Sequence, residues 1–130
     1  MIFLDSSFVI ALADTDDQNH DNAVAVMPKT GVRRVISDLV ISESVSAISG
    51  RLGVRAGREV FENLLYDSAT KTVFGNKRLY ERALPICAKY GGRLSFADSI
   101  TVRVMYDEKV KEIISFDSDF DRVENVARVS

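Results

Sequence analysis

The chain has 130 residues, 46% of them apolar, enough to bury one core without a disulfide or a structural metal. Its formal charge of −2 excludes a protein that coats nucleic acid by bulk positive charge, while leaving room for a local basic surface. The lone cysteine, Cys87, has no internal partner and, between Ile86 and Ala88, reads as a small core hydrophobe in a reducing compartment.

The opening run Ile2 to Asp5 reads as a strand, apolar until it stops at a carboxylate. It lacks the basic start of a signal peptide, and no apolar run approaches membrane-spanning length, so a cytoplasmic protein is expected. A helix over Ser7 to Ala13 and a short one near Asn19 to Met27 follow, with Pro28 and Gly31 breaking the chain after them. A second strand, Arg34 to Ser37, leads into helices over Asp38 to Arg51 and Arg55 to Tyr66. The third strand, Lys71 to Phe74, is followed by a helix over Lys77 to Tyr90 that Gly91 and Gly92 can terminate. Pro85 lies inside that helix, where it removes a hydrogen bond and predicts a kink or two shorter helices. A helix over Phe96 to Asp107, a fourth strand over Glu112 to Phe116 and a weaker fifth over Ala127 to Val129 complete the chain. Strands alternating with helices predict one α/β domain over residues 1–130, with a central parallel sheet of four to five strands flanked by helices.

In such a sheet Asp5 and Asp117, each following a strand, belong at the carboxyl edge, where ligands bind at the point of strand-order reversal. If their strands are neighbours, the two carboxylates converge. Glu43 shares a helical stripe with Val40 and Ala47 that otherwise looks core-facing, so it needs a partner. Asp98 opens a helix within Leu94-Ser95-Phe96-Ala97-Asp98, whose apolar residues bring that turn against the body of the protein. Four acids from four segments sharing one pocket would repel one another and resist desolvation, a conflict that a divalent cation resolves. With no histidine or cysteine among them, Mg²⁺ or Mn²⁺ is favoured over zinc. Each aspartate also has a plainer role open to it: Asp98 as the last member of a capping box begun by Ser95, and Asp5 or Asp117 as caps of the helices that follow.

The segments Ile2-Phe3-Leu4-Asp5-Ser6-Ser7-Phe8, Ser37-Asp38-Leu39-Val40-Ile41-Ser42-Glu43, Leu94-Ser95-Phe96-Ala97-Asp98-Ser99 and Ile114-Ser115-Phe116-Asp117-Ser118-Asp119-Phe120 resemble, in order and spacing, the four acidic motifs of PIN domains, and in particular toxins of the VapC type. The resemblance implies a metal-dependent endoribonuclease with Asp5, Glu43, Asp98 and Asp117 as its acidic quartet and metal ligands, Ser6 in support, and one or two Mg²⁺ or Mn²⁺ ions. Asp119, two residues beyond Asp117, would point the same way on an extended segment, so either can be the fourth ligand; Asp121 is assigned to the surface. The family further implies an RNA substrate, a homodimer and, for toxins, a cognate antitoxin. A PIN scaffold that binds RNA or protein without cutting, and a housekeeping RNA-processing nuclease, remain open beside the toxin.

Without the four acids the remaining residues would carry +2, so substrate phosphates must find local cations. Arg51, Arg55 and Arg58 would align if one helix ran through Gly53 and Gly57, although charges on a helix are most often a solvated face. His20, the only histidine, has no fixed partners in sequence and is expected to be structural. Ser42, Ser44 and Ser46 lack a histidine partner, which disfavours a serine hydrolase. A phosphatase of the haloacid-dehalogenase type needs a second aspartate where Ser7 stands, and a receiver domain needs a lysine where Phe116-Asp117 stands.

Overall fold

The computed structural model describes all 130 residues. β1 (Ile2–Leu4) is followed by α1 (Ser6–Ala13) and α2 (His20–Ala25), β2 (Arg34–Ser37) by α3 (Asp38–Leu52) and α4 (Val54–Leu65), and β3 (Thr70–Val73) by α5 (Lys77–Lys89) and α6 (Phe96–Asp107). β4 (Glu112–Ile114), a 3₁₀ turn (Ser118–Arg122) and β5 (Ala127–Val129) close the chain. The five strands form one sheet in the order β3-β2-β1-β4-β5, and every pairing is parallel. The order reverses beside β1: the chain moves outward through β2 and β3, then returns to add β4 on the other side. Right-handed crossovers in the two directions send their helices to opposite faces. The helix contacts divide accordingly, with α1 to α4 packed on one another and α5 paired with α6.

Both faces of the sheet are covered, so the central strands read as apolar runs rather than as alternation. Phe3, Val35, Ile36, Ile113 and Ile114 are fully buried and join a core of 26 apolar residues. On the other elements Phe8, Ile48, Met105 and Phe120 reach the same core. Gly57 lets α4 approach α3 closely, since a methyl there would collide with the Ser49 hydroxyl and meet the Val45 carbonyl at 3.1 Å. Gly53, at φ 99°, is where α3 stops and the chain turns into α4.

The element boundaries differ from the sequence expectations at informative places. β4 ends at Ile114 rather than Phe116 because serine hydroxyls take over from the ladder: Phe116 N–H donates to Ser7 Oγ at 3.0 Å and Asp117 N–H to Ser115 Oγ at 3.0 Å. Pro85 does not divide α5. It and Glu81, whose carbonyl loses its helical partner, are both exposed, so water can satisfy the freed group. Cys87 is half-buried rather than buried, its thiol directed at the Leu94 carbonyl at 3.5 Å. No helix is long and apolar enough to cross a membrane.

Candidate active site

Asp5 follows β1, and Asp117 lies three residues past the end of β4; the two strands are hydrogen-bonded neighbours, with Leu4 opposite Ile114. Their carboxyl ends meet where the strand order reverses, as the crevice rule for open parallel sheets anticipates. Glu43 enters from α3 and Asp98 from the first turn of α6. All four acids line one cavity of about 170 Å³, together with Ser6, Ser7 and Thr101. No arginine, lysine or histidine lines it, and none of the four acids takes part in an ion pair.

Each carboxylate is held by different chemistry. Asp5 is 8% exposed, and its Oδ2 accepts from the hydroxyls of Ser7 and Ser115, both at 2.7 Å. It flanks α1 without capping it through its side chain, so these two hydroxyls fix its rotamer. Asp117 does cap: its Oδ1 accepts the Asp119 N–H at 2.9 Å, opening the 3₁₀ turn. Ser95 caps α6 by accepting the Asp98 N–H at 3.0 Å, while the Asp98 side chain lines the cavity. Glu43 is exposed rather than part of the core stripe, which runs through Val40, Ser44 and Ile48, and its Oε2 accepts the Ser6 hydroxyl at 2.7 Å.

Mutual repulsion is expressed at Asp98. Burial, then the charges of Asp5 and Asp117, push its carboxyl from an ordinary 3.8 up to about 7; the Ser95 hydroxyl opposes this and Glu43 adds to it. The cavity therefore concentrates negative charge that the protein does not itself neutralise. Arg128 feels the charge of Asp117, but its guanidinium is held by both oxygens of Asp121 and by the Ser115 carbonyl.

Comparison with known proteins adds the lineage. The PIN-domain profile matches residues 2–126. The chain belongs to the PIN-domain family. Among solved structures it is similar to the sarcin-ricin-loop-cleaving toxin VapC20 of Mycobacterium tuberculosis, at 24% identity and a TM-score of 0.83, over 93% of each chain. A toxin–antitoxin complex from Klebsiella pneumoniae is similar at 16% identity and a TM-score of 0.70, over 98% of this chain and 96% of that one. These likenesses show a shared PIN fold. No curated protein matches the chain significantly.

Within this PIN domain several expected contributors fall elsewhere. Asp119 does not line the cavity: the chain turns into a 3₁₀ helix after Asp117 instead of staying extended, and the Asp119 carboxylate lies 3.5 Å from Arg122. The arginine row of Arg51, Arg55 and Arg58 does not form, because Gly53 separates α3 from α4. Arg51 instead binds Asp14 at 3.1 Å and Asp17 at 2.8 Å, and its hydrogen bond holds the Asp17 carboxyl below its usual range. Arg58 pairs with Glu62 one turn along α4, and Arg55 is exposed. His20 Nδ1 lies 2.8 Å from the Ala11 carbonyl, which binds α2 to α1. Ser44 is fully buried with no hydrogen-bond partner, and Ser42 and Ser46 are exposed, so no serine–histidine pair exists.

Three site residues escaped the sequence reading: Thr101, which lines the cavity from α6, and Ser7 and Ser115. The two serines stand two residues after Asp5 and two before Asp117, and their hydroxyls approach to 3.3 Å. For Ser115 the available signal was its place two residues before Asp117 on an extended segment, where period-two alternation returns it to the same side; Ser7, in the first turn of α1, carried no such signal. Ser115→Ala is expected to leave the buried Asp5 carboxylate and the Asp117 amide one partner short. Hydrogen bonds to charged groups are worth about 1.5–3 kcal/mol, so an urea unfolding curve should lose stability of that order with an unchanged slope.

Proposed function

We propose that this PIN domain is a metal-dependent endoribonuclease that hydrolyses RNA phosphodiester bonds and acts as the toxin of a toxin–antitoxin pair. The observation that carries the reading is the convergence of Asp5, Glu43, Asp98 and Asp117, from four separate segments, on one cavity with no cation in its wall. Such a set is costly unless an external positive charge enters. The donors fit a hard ion: carboxylate and hydroxyl oxygens alone, without nitrogen or sulfur, suit Mg²⁺ or Mn²⁺. No group of three acids stands at metal-ligand spacing, so an ion in this cavity would have few direct carboxylate ligands and would keep several waters. When bound, one or two such ions supply Lewis acidity and a lowered water pKa.

Asp5, Glu43 and Asp117 would hold the ion by charge, with Ser7 and Ser115 keeping the Asp5 carboxylate in one orientation. Asp98 faces the same cavity, and a bound cation would lower a carboxyl that burial and the neighbouring acids otherwise raise to about 7, leaving a carboxylate placed to accept a proton from attacking water. Ser6 restrains Glu43 at the rim, where α3 alone would leave a long side chain free. In-line attack on the scissile phosphate would leave a 5′-phosphate on the product.

The same reading includes a protein partner and a second copy of the chain. An antitoxin is supported by the similarity to the Klebsiella pneumoniae toxin–antitoxin complex. The homodimer follows from the family resemblance.

The test is direct. Purified protein is incubated with end-labelled RNA in Mg²⁺, in Mn²⁺, or in EDTA, and the product ends are identified. Cleavage with either ion, its loss in EDTA and a 5′-phosphate product are expected. Undiminished cleavage in EDTA contradicts the metal dependence, and no cleavage of any cellular RNA with either ion favours a silent PIN scaffold.

A further inference from the structure

A basic and aromatic groove lies on the α5–α6 side of the molecule. One part, of about 420 Å³, is lined by Arg82, Lys89, Arg103, Tyr90 and Tyr106 among others. It continues, through Lys89 and Tyr90, into a second part of about 680 Å³ that adds Arg93 and Arg122. No acid lines either part.

The cations are steered by acids outside the groove wall. Asp107 binds Arg82 at 2.6 Å and Arg103 at 3.0 Å, Glu124 binds Lys89 at 2.9 Å, and Asp119 lies 3.5 Å from Arg122. Five cations against three acids leave a local charge of +2 on a chain whose total is −2. Arg93 is exposed and has no acidic partner. The tyrosines are held firmly: Tyr106 Oη donates to the Glu124 carbonyl at 2.6 Å, and Tyr90 Oη accepts the Glu124 N–H at 3.1 Å. Each ring also carries a cation, Lys89 at 5.6 Å from the Tyr90 centroid and Arg103 at 5.5 Å from that of Tyr106.

We propose that this groove binds single-stranded RNA flanking the cut, its cations meeting phosphates and its fixed tyrosines meeting bases. The proposal rests on the nuclease reading and assigns the RNA path to α5, α6 and the 3₁₀ turn instead of α3 and α4. Cations interleaved with aromatic rings are the equipment of single-strand binding, in which charge tracks the backbone and π-faces take bases of any sequence. An acidic peptide would use the arginines and leave the rings idle. Arg103 lies five residues beyond Asp98 on the same helix, about 7.5 Å of axial rise and about 140° around its axis, so RNA held in the groove would reach the acids by passing round α6.

The experiment measures binding of a 5′-fluorescein-labelled single-stranded RNA by anisotropy, with Asp5→Asn as the uncut parent. Arg93→Glu, and Arg93→Glu combined with Lys89→Gln, are expected to weaken binding about tenfold or more. Each lost phosphate contact should also make the salt dependence shallower by about 0.7 in log–log slope. Lys29→Glu, an equal charge reversal on an exposed loop, should bind as the parent does, and circular dichroism reports folding of every variant. In the Asp5-intact protein the loss should fall on KM more than on kcat. Groove variants that bind within twofold of the parent overturn the proposal, as does poly-glutamate binding through Arg93 where RNA does not. Cutting with normal groove-variant affinity removes the groove alone; RNA binding through the groove by a protein that never cuts removes the nuclease reading instead.

Discussion

Asp5→Asn is expected to lower RNA cleavage by on the order of a thousandfold or more while leaving the fold intact. The substitution replaces a carboxylate oxygen with an amide nitrogen at nearly constant volume, so the core around Phe3, Leu4 and Phe8 has no reason to move. The amide oxygen can still accept from the Ser7 and Ser115 hydroxyls that hold Oδ2. What disappears is one negative charge at the most buried of the four carboxylates, and with it part of the attraction for a divalent cation. Cleavage of labelled RNA is compared at equal protein concentration, alongside thermal melts and circular dichroism. Equal rates for the variant and wild type would remove Asp5 from the chemistry. A collapsed melt would point to a structural role, in which case Glu43→Gln, on an exposed residue, repeats the test without touching the core.

Asp98→Asn should stabilise the metal-free protein, and only above acidic pH. The folded-state pKa is raised to about 7 from 3.8, so the native state binds more protons than the unfolded state between those values. Stability then falls as pH rises through that window, and the whole penalty is present above pH 7. Asparagine cannot ionise and escapes it. A rise from 3.8 to about 7 would, unscreened, amount to about 4 kcal/mol, but Asp98 is only half-buried, and solvent screening reduces this to on the order of 1–2 kcal/mol. For a domain of this size that corresponds to roughly 3–10 °C in Tm. The difference in Tm between variant and wild type, measured in EDTA, should be near zero at pH 4 and largest at pH 8. Saturating Mn²⁺ should reverse its sign at pH 8, because wild type would then gain ion-binding energy that the variant has partly lost. A difference independent of pH would mean that the Asp98 carboxyl is not the group carrying the strain.

The architecture was legible because each signal was local or periodic. Apolar runs ending in a polar residue marked β1 and β2, and the Gly91-Gly92 pair marked the end of α5. The meeting of Asp5 and Asp117 is less local, yet it needs only the adjacency of β1 and β4, and that pairing is present; Glu43 and Asp98 join them through the packing of α3 and α6. What could not be read was how side chains compete with backbone. β4 looked two residues longer because Ser115 and Phe116 are good strand residues; their amide and hydroxyl partners lie more than a hundred positions away. Glu43 does share a face with Val40, as the stripe predicts, but that face borders the open cavity and leaves Glu43 exposed, which helical periodicity alone does not show. Arg51 looked free for phosphate because Asp14 and Asp17 come from a distant loop. The cations of the proposed RNA groove are scattered over residues 82–122 with no spacing to connect them, so only the packing of α5 against α6 reveals them as neighbours.

Calorimetric titration of Mn²⁺ into metal-free protein at pH 8, comparing wild type with Asp5→Asn, Glu43→Gln, Asp98→Asn and Asp117→Asn, decides whether the four carboxylates form one ion site. Saturable binding by wild type and at least about tenfold weaker binding by every variant are expected, since each removes one charge from the same cavity. Wild-type protein that binds no Mn²⁺, or four variants that bind it as tightly as wild type, would show that they do not.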